Sequence, residues 1–363
     1  MSLVLEGVER SVGGEMYLRD INLSFNRGEF NVLLGLTEAG KTTMMRIMAG
    51  LEPPNRGRVV EDGEDVTRVP VRKRSVGMVY QQFINYPSLS VYDNIASPLK
   101  LAGLSRREID RRVRTEAERL GIDHLVDRLP AELSGGQQQR CAMARALVRD
   151  ARLVLLDEPL VNLDYKLREG LRSELRNLFA DRDTVVVYAT TEPEEALVLG
   201  GRTSVLHEGR VIQTGVTANC YRHPANTTVT QVFADPPMNL MPVDIGDGQI
   251  KAEGLLSAPL PAHMQDLAPG HYTLGVRPHH LFVAAGAGRV ALRGRVEVAE
   301  IASSVTYVHL SVNGRDWVIE ERGVHQLHPG EDLALYMDLT RAYAFDRADA
   351  LAAAPETQGG PPS

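Results

Sequence analysis

Gly35-Leu36-Thr37-Glu38-Ala39-Gly40-Lys41-Thr42-Thr43 sets glycines, a lysine and adjacent hydroxyls in one run, in the order GxxxxGK[ST]. Such a turn lets backbone N–H groups converge on an anion. The lysine reaches the β- and γ-phosphates of a nucleoside triphosphate, and the Thr42 hydroxyl ligates Mg²⁺. A plain glycine turn with a solvated lysine fits the same letters, so the flanks decide. Phe30-Asn31-Val32-Leu33-Leu34 reads as a buried strand, and Met44-Met45-Arg46-Ile47-Met48-Ala49 as a helix closed by Gly50. Strand, turn and helix form the context in which the pattern is a phosphate site, and the helix start adds partial positive charge.

The positioning elements follow from patterning and imply an α/β architecture. Leu3-Val4-Leu5, Met16-Tyr17-Leu18 and Ile21-Asn22-Leu23-Ser24-Phe25 read as short antiparallel strands turning at Gly13-Gly14. Val76-Gly77-Met78-Val79-Tyr80 reads as a buried strand ending at Gln81. Ser105-Arg106-Arg107-Glu108 fits a capping box, with Ile109, Val113, Ala117 and Leu120 on one apolar face. Leu153-Val154-Leu155-Leu156 suits a strand buried on both sides of a parallel sheet, with Asp157 and Glu158 at its carboxyl end, where such sheets bind ligands.

With 363 residues the chain implies two or three domains. A hydrophobic share of 43% and a net charge of −7 describe an ordinary globular protein with no basic surface for nucleic acid. Cys141 and Cys220 stand at no metal-ligand spacing, which suggests a reduced, cytosolic setting. No apolar run approaches the roughly 20 residues of a membrane span, and no signal peptide is expected.

Leu133-Ser134-Gly135-Gly136-Gln137-Gln138-Gln139-Arg140 opens another helix, and Ser-Gly-Gly at a helix start is an anion site. Placed between the phosphate loop and Leu153–Glu158, this run resembles the signature of the ATP-binding-cassette (ABC) ATPases, over residues 1–232. The resemblance implies a P-loop domain with a RecA-like sheet, an antiparallel β subdomain and a helical subdomain, using ATP and Mg²⁺. It implies that Ser134, Gly135, Gly136 and Gln137 face the γ-phosphate held by another subunit, so that one chain makes half of each site. It assigns Asp157 to Mg²⁺, Glu158 to polarising the attacking water as general base, Gln81 to sensing Mg²⁺ and that water, and Asp164 to a dimer-contact loop.

The sequence departs from the family at two places. Thr191 stands where the family carries a histidine that contacts the γ-phosphate, and a threonine hydroxyl is shorter and uncharged. Val12 stands where an aromatic ring stacks on adenine; Tyr17 is near in sequence but one strand position away. The first change is expected to slow hydrolysis and the second to weaken nucleotide binding by about 1 kcal/mol. An impaired site beside an intact Glu158 and signature favours pairing with a different ATPase subunit. A slow homodimer is the alternative.

Glu208-Gly209 joins Thr203–His207 to Arg210–Gln213 in a hairpin expected to close the ATPase domain. Pro236-Pro237-Met238-Asn239 reads as a linker. Beyond it, short strands at Met241–Val243, Tyr272–Val276, Arg293–Val298, Val305–Leu310 and Trp317–Ile319 suggest an OB-like β-barrel over residues 233–352, with 353–363 as a frayed tail. Gly275-Val276-Arg277-Pro278-His279-His280-Leu281 resembles the GxRPEH stretch in the C-terminal barrel of maltose-type importer ATPases; His279 and His280 read as surface-loop residues. Gln82–Pro98 mixes aromatic and polar residues as an interface does, and in the family it receives a transmembrane permease subunit. Together with Tyr188–Leu197 it resembles ATPases of bacterial glycerol or sugar-alcohol importers. That resemblance implies a peripheral protein on the cytoplasmic face of the inner membrane, working indirectly with a periplasmic solute-binding protein. A weakly hydrolysing regulatory module that binds a control protein is the second reading. A soluble ABC ATPase of DNA repair or translation is the third, without the paired halves or coiled-coil insertions expected of it.

Overall fold

The computed structural model describes every residue except 1, 83, 162, 164, 181, 182, 303 and 357–363. The chain divides into two compact units, Met1–Ala218 and Asn219–Ser363.

In the first unit β1 (Ser2–Val12) and β2 (Glu15–Asn26) pair antiparallel. The short strands expected at Met16–Leu18 and Ile21–Phe25 are one strand, because Asp20 takes a left-handed φ of 49° and keeps the pairing going through an irregular register. β3 (Phe30–Leu34) leads to α1 (Lys41–Ala49), which Gly50 caps at φ 76°. β4 (Arg56–Glu61) and β5 (Glu64–Asp65) complete a sheet in the order β2-β1-β4-β5. β6 (Val76–Val79) precedes α2 (Val91–Leu101), α3 (Arg106–Arg119) and α4 (Gly135–Leu147). Ser105 caps α3 by accepting from Glu108 N, but the Glu108 carboxylate pairs with Arg111 and Arg112 in place of closing the expected capping box. β7 (Leu153–Asp157), α5 (Tyr165–Ala180), β8 (Val185–Thr190), α6 (Pro193–Leu199), β9 (Arg202–His207) and β10 (Arg210–Val216) finish the unit. The six-stranded sheet runs β10-β9-β3-β8-β7-β6, parallel except for β10. β7 and β8 are buried along their whole length, as their unbroken apolar runs require. Four neighbours, β3, β8, β7 and β6, therefore deliver their carboxyl ends side by side.

The division into units falls inside α7 (Thr217–Arg222). In the second unit α8 (Thr227–Val232) is followed by an OB-like β-barrel: two antiparallel sheets of six and five strands around one core that includes Ile250, Leu274, Leu310, Trp317 and Leu335. The expected linker belongs to this unit. Met238 is buried with Tyr343 and Phe345, and Asn239 exchanges hydrogen bonds with the Val318 backbone at 2.8 and 2.7 Å. Leu351–Ala353 forms a strand paired with Tyr343–Phe345, so Ala353, placed at the start of the expected tail, belongs to the sheet. His279 and His280 close a single turn of 3-10 helix, and burial pushes His280 down to about 4.

Candidate active site

The phosphate loop bridges β3 and α1, and its glycines are sterically required. A Cβ on Gly40, at φ 98°, would lie 2.7 Å from the Tyr17 carbonyl oxygen, and one on Gly35 would lie 2.6 Å from the Leu206 carbonyl oxygen. Leu36, Thr37 and Glu38 are exposed at the crest of the turn, while Ala39 is buried. The first-turn N–H groups of α1, from Lys41 through Thr43, have no partner within the helix. Sequence reading passed over one departure here. Glu38 holds φ 66°, a left-handed conformation that favours glycine, and brings a carboxylate to a loop meant for phosphate.

Lys41 is 4% exposed. Its Nζ donates to the carbonyls of Gly35 at 2.7 Å and Leu36 at 3.0 Å and pairs with Glu158 Oε1 at 3.1 Å. The second Glu158 oxygen accepts from Gln81 Nε2 at 3.3 Å. Glu158 itself sits at φ 44°, just past the end of β7, with its N–H donating to the Ala189 carbonyl at 3.0 Å. The Thr42 hydroxyl donates to Asp157 Oδ1 at 3.1 Å, and Asp157 is 3% exposed. Burial raises the Asp157 pKa, against the lowering effect of the Thr42 hydrogen bond. The hydroxyl and the carboxylate are hard oxygen donors that fit a divalent cation such as Mg²⁺, whose charge would offset the burial of Asp157.

Five of the expected residues, Lys41, Thr42, Gln81, Asp157 and Glu158, are thus brought together. Thr191 follows directly on β8, whose last carbonyl, that of Thr190, accepts from Gly35 N at 3.3 Å. Val12 lies apart from these hydrogen bonds, opposite Glu15 at the β1–β2 turn and 53% exposed. Tyr17 falls in an irregularity of that pairing and donates its hydroxyl to Glu15 at 3.2 Å. Asp164 lies outside the described residues.

Ser134 belongs to a different arrangement. It is exposed, caps α4 by accepting from Gln137 N at 3.4 Å, and its own N–H donates to Gln137 Oε1 at 3.0 Å. Gly135 has open space beside it. The same helix holds the loop that follows Gln81. Asn85 Nδ2 donates to the Gln138 carbonyl at 2.8 Å, Arg145 donates to the Ile84 carbonyl, and the Arg145 guanidinium lies 4.9 Å from the centre of the Tyr86 ring. Asn94, fully buried, ties the loop internally: its Nδ2 donates to the carbonyls of Tyr86, Leu89 and Ser90, and its Oδ1 accepts from Tyr86 N. Ile84 and Tyr86 remain about half exposed. A cleft of about 620 Å³ lies elsewhere, between α3, α4 and α5, and none of the site residues lines it; the convergence of charged groups, not cavity size, marks the active site.

Comparison with known proteins agrees with this geometry. The ABC transporter family profile matches residues 18–161. A trehalose/maltose import ATP-binding protein, MalK, of Thermococcus litoralis is 38% identical over 354 residues, covering 91% of this chain and 93% of its own. An sn-glycerol-3-phosphate import ATP-binding protein, UgpC, of Chromohalobacter salexigens is 37% identical over 350 residues, covering 95% and 94%. Among solved structures, cbiO1 from Clostridium perfringens, part of an ABC transporter complex, superposes with a TM-score of 0.57 at 28% identity, covering 60% of this chain and 90% of that one. A dimeric ATP-binding cassette bound to ADP and Pi gives a TM-score of 0.53 at 29% identity, covering 59% and 98%. The phosphate loop, the paired acidic residues at the end of β7 and the extended likeness to import proteins agree: the chain belongs to the ATP-binding subunits of ABC transporters and is an ABC-type ATPase.

Proposed function

We propose that this chain powers an importer for a small carbohydrate or polyol from the cytoplasmic face of the membrane. The supporting observation is the convergence of Lys41, Thr42, Gln81, Asp157 and Glu158 at neighbouring strand ends. Lys41 and the loop N–H groups bind the β- and γ-phosphates of ATP. Thr42 and Asp157, with Gln81 beside them, would hold Mg²⁺, which when bound would supply positive charge against the phosphates. Glu158 orients the attacking water and takes its proton, and Gln81 fixes the carboxylate that does so. Gly135, Gly136 and Gln137 with Ser134 complete a second chain's site, so that ATP closes the pair and hydrolysis reopens it. The stretch 82–98 receives the permease subunits, and a periplasmic solute-binding protein acts through them. Among the described residues no helix is long and apolar enough to cross a membrane. The solute class rests on the names of the relatives, one for trehalose and maltose and one for sn-glycerol-3-phosphate.

Two finer points rest on this chain alone. Thr191, uncharged and short, makes hydrolysis slow at the site this chain's loop builds, and Val12 leaves adenine without a stacking ring. Those two residues are the whole case for pairing with a different ATPase subunit in place of a second copy. Turnover of the purified chain, with and without candidate partners, tests the reading. Fast hydrolysis by the isolated homodimer refutes the impairment. Thr191→His is expected to raise turnover by about 10²-fold, the low end of the range for a single transition-state donor; no gain refutes the role given to Thr191.

A further inference from the structure

Glu195, on α6, is 2% exposed. One carboxylate oxygen accepts two hydroxyls, from Tyr188 at 2.8 Å and from Thr190 at 2.6 Å. The other faces Arg172 Nε of α5 at 3.7 Å, and Arg172 is 4% exposed. A carboxylate held this deep is costly unless donors and a counter-charge surround it, and here they do.

The same hydroxyl ties the cluster to the active site. Thr190 Oγ1 accepts from Glu192 N at 3.0 Å and so closes the turn that carries Thr191. The Thr190 carbonyl holds Gly35 N, where the phosphate loop begins, and the Ala189 carbonyl holds the Glu158 N–H. One turn before Arg172 on α5, Arg168 donates to the carbonyls of Val161 at 3.4 Å and Leu163 at 3.3 Å, in the loop after Glu158, and lies 3.9 Å from Glu192. The end of β8 is therefore the place where the phosphate loop, the general base and α5 meet. We propose that Glu195 is a positioning residue for ATP hydrolysis: by accepting the Tyr188 and Thr190 hydroxyls it fixes the turn over Thr190–Glu192 and, through the β8 carbonyls, the placement of Gly35 relative to Glu158.

The test uses the full chain in the assembly in which it turns over ATP. Turnover is expressed per nucleotide site, counted with a fluorescent ATP analogue, alongside KM and melting temperature. Glu195→Ala is expected to lower kcat per site about ten-fold or more with KM changed less than about three-fold, the signature of lost geometry rather than lost binding. Glu195→Gln keeps an oxygen that accepts both hydroxyls and is expected to hold kcat within about three-fold of the parent. Thr190→Val, nearly isosteric, gives an intermediate loss and serves if the alanine variant does not fold. Parental turnover per site in the alanine or valine variant overturns the proposal, as does a change confined to KM. Equal losses in the glutamine and alanine variants overturn the hydrogen-bonded route.

Discussion

Around Lys41, side chains from the start of α1 and from the ends of β6 and β7, or just past them, hold one another: Lys41 on Glu158, Glu158 on Gln81, Thr42 on Asp157. Ser134, at the start of α4, bonds to Gln137 and Gln138 in its own helix start and stays exposed. The first arrangement buries charge beyond what folding needs, and its hydrogen bonds make sense as a scaffold for chemistry. The second is satisfied as a helix start and offers its surface outward. The difference fits the proposed division of labour, in which a single chain carries a nearly complete catalytic half and a lip for another molecule.

The largest expected effect tests that division of labour. Glu158→Gln and Ser134→Arg are each expected to reduce turnover about 10²-fold or more, since each removes a group aimed at the transition state. Mixed in equal amounts, the two variants recover roughly a quarter of the parental activity if copies of this chain pair with each other. Random pairing makes half the dimers mixed, and each mixed dimer keeps one intact site. No recovery points to a different ATPase partner. A smaller effect concerns the loop itself. Glu38→Gly removes a left-handed non-glycine residue and a negative charge beside the phosphates, and is expected to tighten ATP binding by about 1 kcal/mol, near five-fold, in a titration with a fluorescent analogue.

The smallest effect has opposite signs in the two regions. Because burial raises the Asp157 pKa, the unfolded chain gives up that proton more readily than the folded one. Stability is therefore lost as pH rises through the carboxylate range, and the full penalty stands at neutral pH in the absence of metal. Asp157→Asn is expected to raise the melting temperature of metal-free protein by a few degrees. Ser134→Ala, which only loses a cap, is expected to lower stability by about 1 kcal/mol. Calorimetry on the full chain reads both.

Much of this was legible in the residues. Unbroken apolar strands, the glycine turn and the acidic pair after Leu156 locate the phosphate site, because each obeys a local rule. Long-range consequences were not. Glu195 is one of several acidic residues in Glu192-Pro193-Glu194-Glu195; only the helical spacing that sets it beside buried Ala196 and Leu199 separates it from its exposed neighbour Glu194. The Arg145 contact to Ile84 joins residues 61 apart, and no local pattern announces it. Met238 looked like linker because its neighbours are prolines, yet it packs against Tyr343 and Phe345, far along the chain.

The knot of bonds around Asn94 has a mechanical outcome. Its turn is braced from within by one amide and bolted to α4 through Asn85 and Arg145, so the stretch after Gln81 is tied to the helix that Ser134 opens. On the proposed function, a partner that grasps Tyr86 from outside would load that helix as well, and a pull at the rim would arrive where a neighbour's nucleotide is clasped.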